Sequence, residues 1–217
     1  MNLFVVGDVH GCYYTFKELL RHWQPATELF VQTGDLVDRG RYVPEAVALA
    51  VDLSRRYPTQ TVFLKGNHEA MMLQHLGPAG PHPGWLRWGG RSTLQQYRSR
   101  PALLAEHLPW LASRLLFWEN DALFISHAGL ADTPEPLHET NPDGVLWRRG
   151  PLRPVGKRQI IGHTPTADGK PLFDAATDAL YIDTGAYLGR GLTAVRLSSA
   201  GQLLETLTVP TRRRDIA

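Results

Sequence analysis

A single cysteine, Cys12, stands in this 217-residue chain, so no disulfide closes within it and no four-thiolate metal cluster can form. Any metal site must therefore rely mainly on nitrogen and oxygen ligands. Long hydrophobic runs are missing too. Stretches such as 46–51 and 122–125 fall far short of the roughly 20 apolar residues that cross a bilayer, and no membrane partner is expected. The opening Met1-Asn2-Leu3-Phe4-Val5-Val6 has no basic segment leading a long apolar stretch and runs at once into Gly7-Asp8, which makes the cytoplasm the expected location. Charge of one sign is hardly in excess, with 23 Lys and Arg against 21 Asp and Glu and a formal net charge of +2. Arg212-Arg213-Arg214 reads as a solvated end, and no nucleic-acid partner is expected.

What is present is an ordinary globular composition, 43% hydrophobic and 20% charged, which excludes global disorder. The length fits one domain over residues 1–217, expected as a monomer, with a helical and loop insertion at about 77–109. The apolar run 3–6 ends at Gly7 and predicts a buried strand that delivers Asp8 and His10 into a loop. Phe16, Leu19, Leu20 and Trp23 then fall at helical spacing before Pro25. The unit recurs. A strand over 27–33 leads to Gly34-Asp35 and a helix over 43–57, with Pro44 in its first turn. A third strand, 61–64, leads to Gly66-Asn67-His68-Glu69 and a helix over 70–76. Strand-to-helix units with polar residues after each strand predict an α/β fold carrying its chemistry along one sheet edge.

The segment 77–90, rich in Gly, Pro and Trp, predicts a shaped loop in which Trp85 and Trp88 either pack the insertion or line a cleft. A helix is predicted over 92–107, ahead of Pro109, and strands over 115–118, 122–125, 159–161, 179–182, 192–197 and 203–209.

Five segments place metal-capable side chains directly after apolar runs: Asp8 with His10, Asp35 with Asp38, Asn67 with His68, His127, and His163. One such histidine alone is more often a hydrogen-bonded structural residue. Five together, beside glycines that permit tight turns, are hard to obtain from packing. Carboxylate, imidazole and amide donors form a set suited to Mn, Fe or Zn, and one aspartate can bridge two ions.

Gly7-Asp8-Val9-His10-Gly11, Gly34-Asp35-Leu36-Val37-Asp38-Arg39-Gly40 and Gly66-Asn67-His68-Glu69 resemble the signature of the phosphoprotein phosphatase family of binuclear metallophosphoesterases. Ser126-His127-Ala128-Gly129 and Gly162-His163-Thr164 resemble its two later histidine segments, so the likeness spans residues 1 to about 190. It implies an α/β calcineurin-like fold of two packed mixed β-sheets flanked by helices. It also implies two divalent ions, Mn2+ first and Fe, Zn, Co or Ni as alternatives. Asp8, His10 and Asp35 would hold one, and Asp35, Asn67, His127 and His163 the other. A hydroxide bridging the ions would attack phosphorus directly. His68, paired with Asp38, would protonate the leaving group, and Arg39, Arg148 and Asn67 would contact substrate, with Arg149 beside Arg148 leaving that register open by one position. Lys65 stands where bacterial and phage-type members often carry arginine, and either contacts phosphate as a point charge or points away. Cys12 lies outside the set such a hydrolase requires.

The resemblance is to the compact bacterial and phage-type serine/threonine protein phosphatases, and the implied partner is a phosphoprotein or a small phosphorylated substrate. The alternative is a symmetrical diadenosine tetraphosphatase, which shares the metal motifs; the short chain favours the first. An inactive phosphate-binding module is the reading from another class, and the presence of every ligand and of His68 counts against it.

Overall fold

The computed structural model of the protein describes residues 1–216. Ten strands form two five-stranded mixed sheets. The first runs β10 (Leu203–Val209), β9 (Leu192–Leu197), β1 (Asn2–Val6), β2 (Glu28–Gln32), β3 (Thr61–Phe63). The second runs β4 (Phe117–Glu119), β5 (Leu123–Ser126), β6 (Arg158–Ile161), β8 (Ala179–Tyr181), β7 (Leu172–Asp174). Within them β1, β2 and β3 are mutually parallel, as are β5, β6 and β8. In register, Val6 lies opposite Gln32 and Ser126 opposite Ile161, so the parallel strands end level and release their loops at one edge. That is where open α/β sheets place ligands.

Both faces of the first sheet are covered at β1, β2 and β9, which explains why the strands there are buried along nearly their whole length, whereas the edge strand β10 is largely exposed. Leu3, Val5, Leu29, Val31, Val195 and Leu197 face Leu123, Ile125, Ile160 and Leu180 of the second sheet. Phe4, Val6, Phe30 and Ala194 point the other way, into the helices. Each such buried aliphatic or aromatic side chain contributes about 1.5–3 kcal/mol. The outer layer is α1 (Tyr13–Leu19), α2 (Val43–Arg56) and α3 (Asn67–Leu76), followed by the one-turn α4 (Pro83–Trp85), then α5 (Arg91–Tyr97) and α6 (Pro101–Ala112).

Several boundaries differ from the sequence expectation, each for an identifiable reason. The first helix starts at Tyr13 rather than at 16 because Asp215, 200 residues away, accepts from the Thr15 backbone N–H (2.8 Å) and hydroxyl (2.7 Å) and caps it from outside. α3 starts at Asn67 because the Glu69 carboxylate reaches back to the Gly66 N–H (2.8 Å). The expected single helix over 92–107 breaks in two because Pro101 takes the first position of α6, and Pro109 sits inside that helix instead of ending it. The edge strand β7 was not expected. It is three residues long, with Leu172 and Phe173 half exposed, and carries no periodicity to read.

Candidate functional site

The loops at the common strand edge are held in conformations that side chains other than glycine rarely adopt. Five of the seven non-glycine residues with positive φ are His10, Asp35, Asp38, Arg39 and His163, and such strain persists where surrounding contacts over-determine it. Glu69 supplies much of that constraint. Its two carboxylate oxygens accept from the backbone N–H groups of Asp35 (2.8 Å), Leu36 (2.9 Å), Val37 (3.1 Å) and Gly66 (2.8 Å). Two glycines make room for the carboxylates themselves. A side chain at Gly66 would collide with Asp35, and one at Gly162 with Asp8.

All six expected metal-binding residues are buried and meet at one place. Asp35 Oδ2 lies 3.4 Å from His10 Nε2 and 3.5 Å from His127 Nε2. His10 Nδ1 donates to the Val37 carbonyl (2.8 Å) and His127 Nδ1 to that of Thr33 (3.0 Å). Each of these bonds leaves the Nε2 lone pair directed at the centre, the arrangement that orients a ligating imidazole. On the far side, His127 Nε2 lies 2.9 Å from Asn67 Oδ1, and His163 Nδ1 lies 3.1 Å from Asn67 Oδ1 and 3.0 Å from His127 Nε2.

The electrostatics of this cluster fit cations. Burial holds His10 and His127 below the ordinary imidazole value, and burial, His127 and Arg149 push His163 down to about 2. The histidines are therefore neutral, and His127 Nε2, Asn67 Oδ1 and His163 Nδ1 crowd within hydrogen-bond distance of one another, while the buried His163 Nε2 meets no partner among the described residues. Burial and the neighbouring carboxylates of Asp183 and Asp35 push Asp8 well up. A divalent ion reverses both penalties, because it accepts the lone pairs and favours the ionised carboxylates. Two overlapping donor groups share Asp35, His10, Asp35 and His68 in one and Asp8, Asp35 and His127 in the other, a division that differs from the expected sets in placing His68 with His10 and Asp8 with His127.

Beside the centre stands the acid pair. His68 Nδ1 donates to Asp38 Oδ2 at 2.6 Å. Burial alone would lower the pKa of His68, but the Asp35 charge and the Asp38 hydrogen bond outweigh it and raise it above the usual value. Asp38 is itself held by Trp85 Nε1 (2.7 Å) and the Thr93 hydroxyl (2.5 Å). The two tryptophans thus divide the roles left open for them. Trp85 is buried and orients Asp38, whereas Trp88 is half exposed and lines a cleft of about 150 Å³ with Arg39, Arg149 and Trp147. Arg39 stacks over Tyr187 (4.1 Å to the ring centre), and its Nη2 lies 3.1 Å from His68 Nε2. With His68 protonated these two nitrogens are both donors at close range, a repulsion that an anionic oxygen accepting from both would relieve.

Three expectations need revision or completion. Arg148 is turned away from this cleft, paired with Asp143 (2.7 Å) and with the Pro151 carbonyl (3.2 Å), and Arg149 takes the wall position. Lys65 is buried and spans to Glu139 (2.6 Å), so it points away. Cys12 is fully buried, and burial pushes its thiol up, which leaves it inert. Residues given no role from sequence are Glu69, Tyr187 and Asp183. The last is buried, accepts from the Gly185 N–H (3.0 Å) through one oxygen, and has the other unpaired. Its place after an apolar run was the only available signal.

Comparison with known proteins agrees with this geometry. The family model described as calcineurin-like phosphoesterase matches residues 1–187. A protein of Salmonella typhimurium named serine/threonine-protein phosphatase 1 is 32% identical over 213 residues, covering 90% of this chain and 92% of its own. An asymmetrical bis(5'-nucleosyl)-tetraphosphatase of Geobacillus is 27% identical, covering 97% of this chain and 94% of its own. A dinucleotide-cleaving relative is thus present beside the phosphatase, although its name gives the asymmetrical activity and the alternative weighed from sequence was the symmetrical one. A solved serine/threonine phosphatase from Saccharomyces cerevisiae has a TM-score of 0.69 at 17% identity, covering 98% of this chain and 81% of its own. A cold-active protein tyrosine phosphatase has a TM-score of 0.65 at 21% identity, covering 95% and 78%. No helix among the described residues is long and apolar enough to cross a membrane.

Proposed function

Because the chain belongs to the calcineurin-like phosphoesterases, we propose that it hydrolyses phosphoserine and phosphothreonine in proteins, with manganese as its working metal. Asp8, His10 and Asp35 would hold one ion, and Asp35, Asn67, His127 and His163 the other; the mixed carboxylate, imidazole and amide donors suit Mn2+. Bound there, the ions supply Lewis acidity to the phosphoryl oxygens and ionise water near neutral pH.

The chain's own residues do the rest. Arg39 and Arg149, which both line the cleft, orient the phosphoryl group through charged forks of donors. His68 carries a proton on Nε2 and releases it to the departing alkoxide, a step an unactivated serine or threonine side chain requires. Asp38 keeps that imidazole charged and fixes its ring. Trp88 and Trp147 line the same cleft and offer apolar contact to the substrate around the phosphoryl group. The observation that carries the reading is the 2.6 Å His68–Asp38 pair beside Arg39, because a proton donor of this kind separates a hydrolase from a binding module.

One observation favours a second reading. A neighbouring cavity of about 410 Å³ shares His163 and Arg149 with the site and is walled by Leu152, Ile161, Leu172 and Tyr181, a setting compatible with a nucleoside. The test is a manganese-loaded panel of a phosphoserine/phosphothreonine peptide, a phosphotyrosine peptide and diadenosine tetraphosphate on one preparation. Highest kcat/KM on the first peptide supports the proposal, and dominant cleavage of the dinucleotide overturns it. An H68N variant that retains its metal and loses turnover disposes of the inactive-module reading.

A further inference from the structure

The tail triplet Arg212-Arg213-Arg214, taken from sequence as a solvated end, is folded back onto α1 and encloses a pocket of about 650 Å³ with Tyr14, Lys17, Glu18 and Arg21. Five cations and one carboxylate line it, a sharper excess than the whole chain's +2. The wall is built rather than incidental. Asp215 is fully buried and accepts from the backbone of Tyr14 (3.1 Å) and Thr15 (2.8 Å), and the Arg212 N–H donates to the Thr15 hydroxyl (2.8 Å). Arg212 pairs with Glu18, which consumes the single negative charge, and Arg214 lies on the Tyr14 ring. Lys17, Arg21 and Arg213 are exposed, and among the described residues no acidic side chain pairs with them.

The same tail touches the loop that carries Arg39 and the turn that carries Tyr187, on whose ring Arg39 stacks. The Arg41 N–H donates to the Asp215 carbonyl (3.0 Å), two residues from Arg39, and the Thr211 hydroxyl donates to the Ala186 carbonyl (2.8 Å), next to Tyr187. We infer that this pocket docks an acidic segment of the protein substrate while the phosphorylated residue occupies the cleft. The inference rests on the protein phosphatase reading for its substrate class. Charge complementarity selects an anion. A peptide fits better than a nucleic acid for two reasons. The cations close around one pocket instead of tracking a backbone, and Tyr14, the pocket's one aromatic side chain, has a face already covered by Arg214, leaving no open platform for base stacking.

The test separates docking from catalysis. Binding of a fluorescent, unphosphorylated hexaglutamate-containing peptide to the full-length protein is followed by anisotropy, for wild type and for the triple variant Lys17→Ala, Arg21→Ala, Arg213→Ala. These three side chains leave the Asp215 cap and the Arg212–Glu18 pair intact. Affinity is expected to fall roughly tenfold, the cumulative effect of three exposed charges, and to weaken with salt in the wild type. On a phosphoserine peptide with an acidic extension, KM should rise by a similar factor, with kcat and the rate on p-nitrophenyl phosphate unchanged. Equal affinity of the two proteins for the acidic peptide overturns the inference. So does tighter binding of a single-stranded oligonucleotide of the same charge, lost in the triple variant. If the acidic peptide binds as expected but no phosphopeptide is hydrolysed, the docking site stands and the phosphatase reading fails.

Discussion

Replacing Asp38 by asparagine isolates the charge of the acid pair with little disturbance of its shape. Asp38 Oδ2 accepts from both His68 Nδ1 (2.6 Å) and Trp85 Nε1 (2.7 Å), while Oδ1 meets only the Thr93 hydroxyl (2.5 Å). An asparagine that puts its oxygen in the Oδ2 position keeps both ring donors, and its amide faces a hydroxyl that can turn to accept. The variant should therefore fold and keep its metals. What it loses is the difference between a charged and a neutral hydrogen bond, about 1–2 kcal/mol, or roughly one unit of the His68 pKa.

The direction follows from the role of the proton. His68 stands above the ordinary imidazole value because Asp35 and Asp38 outweigh its burial, and the protonated form is the one that serves the leaving group. Activity falls as pH rises through that pKa. Removing the Asp38 charge lowers it, so the alkaline limb of kcat should move to lower pH by roughly one unit, and kcat on a phosphoserine peptide should drop by up to about tenfold, the full factor being reached only at pH above the wild-type pKa. p-Nitrophenyl phosphate provides the internal control, since its leaving group departs without a proton and should be slowed much less. A D38N protein whose alkaline limb stays where it was, or which slows both substrates equally, refutes the assignment of His68 as the proton donor.

Other substitutions test other parts of the site. D35N removes the carboxylate shared by both donor groups and should cost bound metal, measured by atomic emission after desalting, together with hydrolysis; a fully metallated D35N refutes the bridging role. R149A should raise KM and weaken inhibition by inorganic phosphate roughly tenfold or more, the worth of a charged hydrogen bond, whereas R148A, whose guanidinium is engaged by Asp143 and Pro151, should leave both within about twofold; the reverse pattern returns the role to Arg148. In E69Q an amide nitrogen replaces one of two oxygens that each accept from two backbone N–H groups, so two buried donors lose their partner at about 1–3 kcal/mol each. Urea unfolding should show the loss as a lowered midpoint, and an unchanged midpoint contradicts the clamp.

How far local pattern reaches in this chain depends on where each residue finds its partner. Asp8, His10, Asp35, Asn67, His127 and His163 each follow an apolar run, so strand ends alone predicted that they share an edge, and the buried cluster in the structure agrees. The division of the strands into two sheets left no such trace: most strands of the second sheet were legible one by one, but strands of three or four residues such as Arg158–Ile161 and Ala179–Tyr181 are too short for alternation to show which layer they join, and only the resemblance supplied that layer. Arg148 and Arg149 differ by one position, and their division of labour is decided by Asp143 and the Gly150 turn (φ 155°). No window of sequence around Asp38 contains Trp85 or Thr93, yet those two donors fix the carboxylate on which the His68 proton depends. The start of α1 and the cationic pocket depend in the same way on Asp215, which meets Thr15 across almost the whole chain. Which atoms can bind a metal is thus a local property that spacing reveals, whereas the charge state of the acid and the placement of the arginines are set by long-range contacts. Variants at Trp85 or Thr93 should consequently shift the pH profile while leaving metal content untouched, and a loss of metal in either would place the acid pair and the metal centre in one inseparable network.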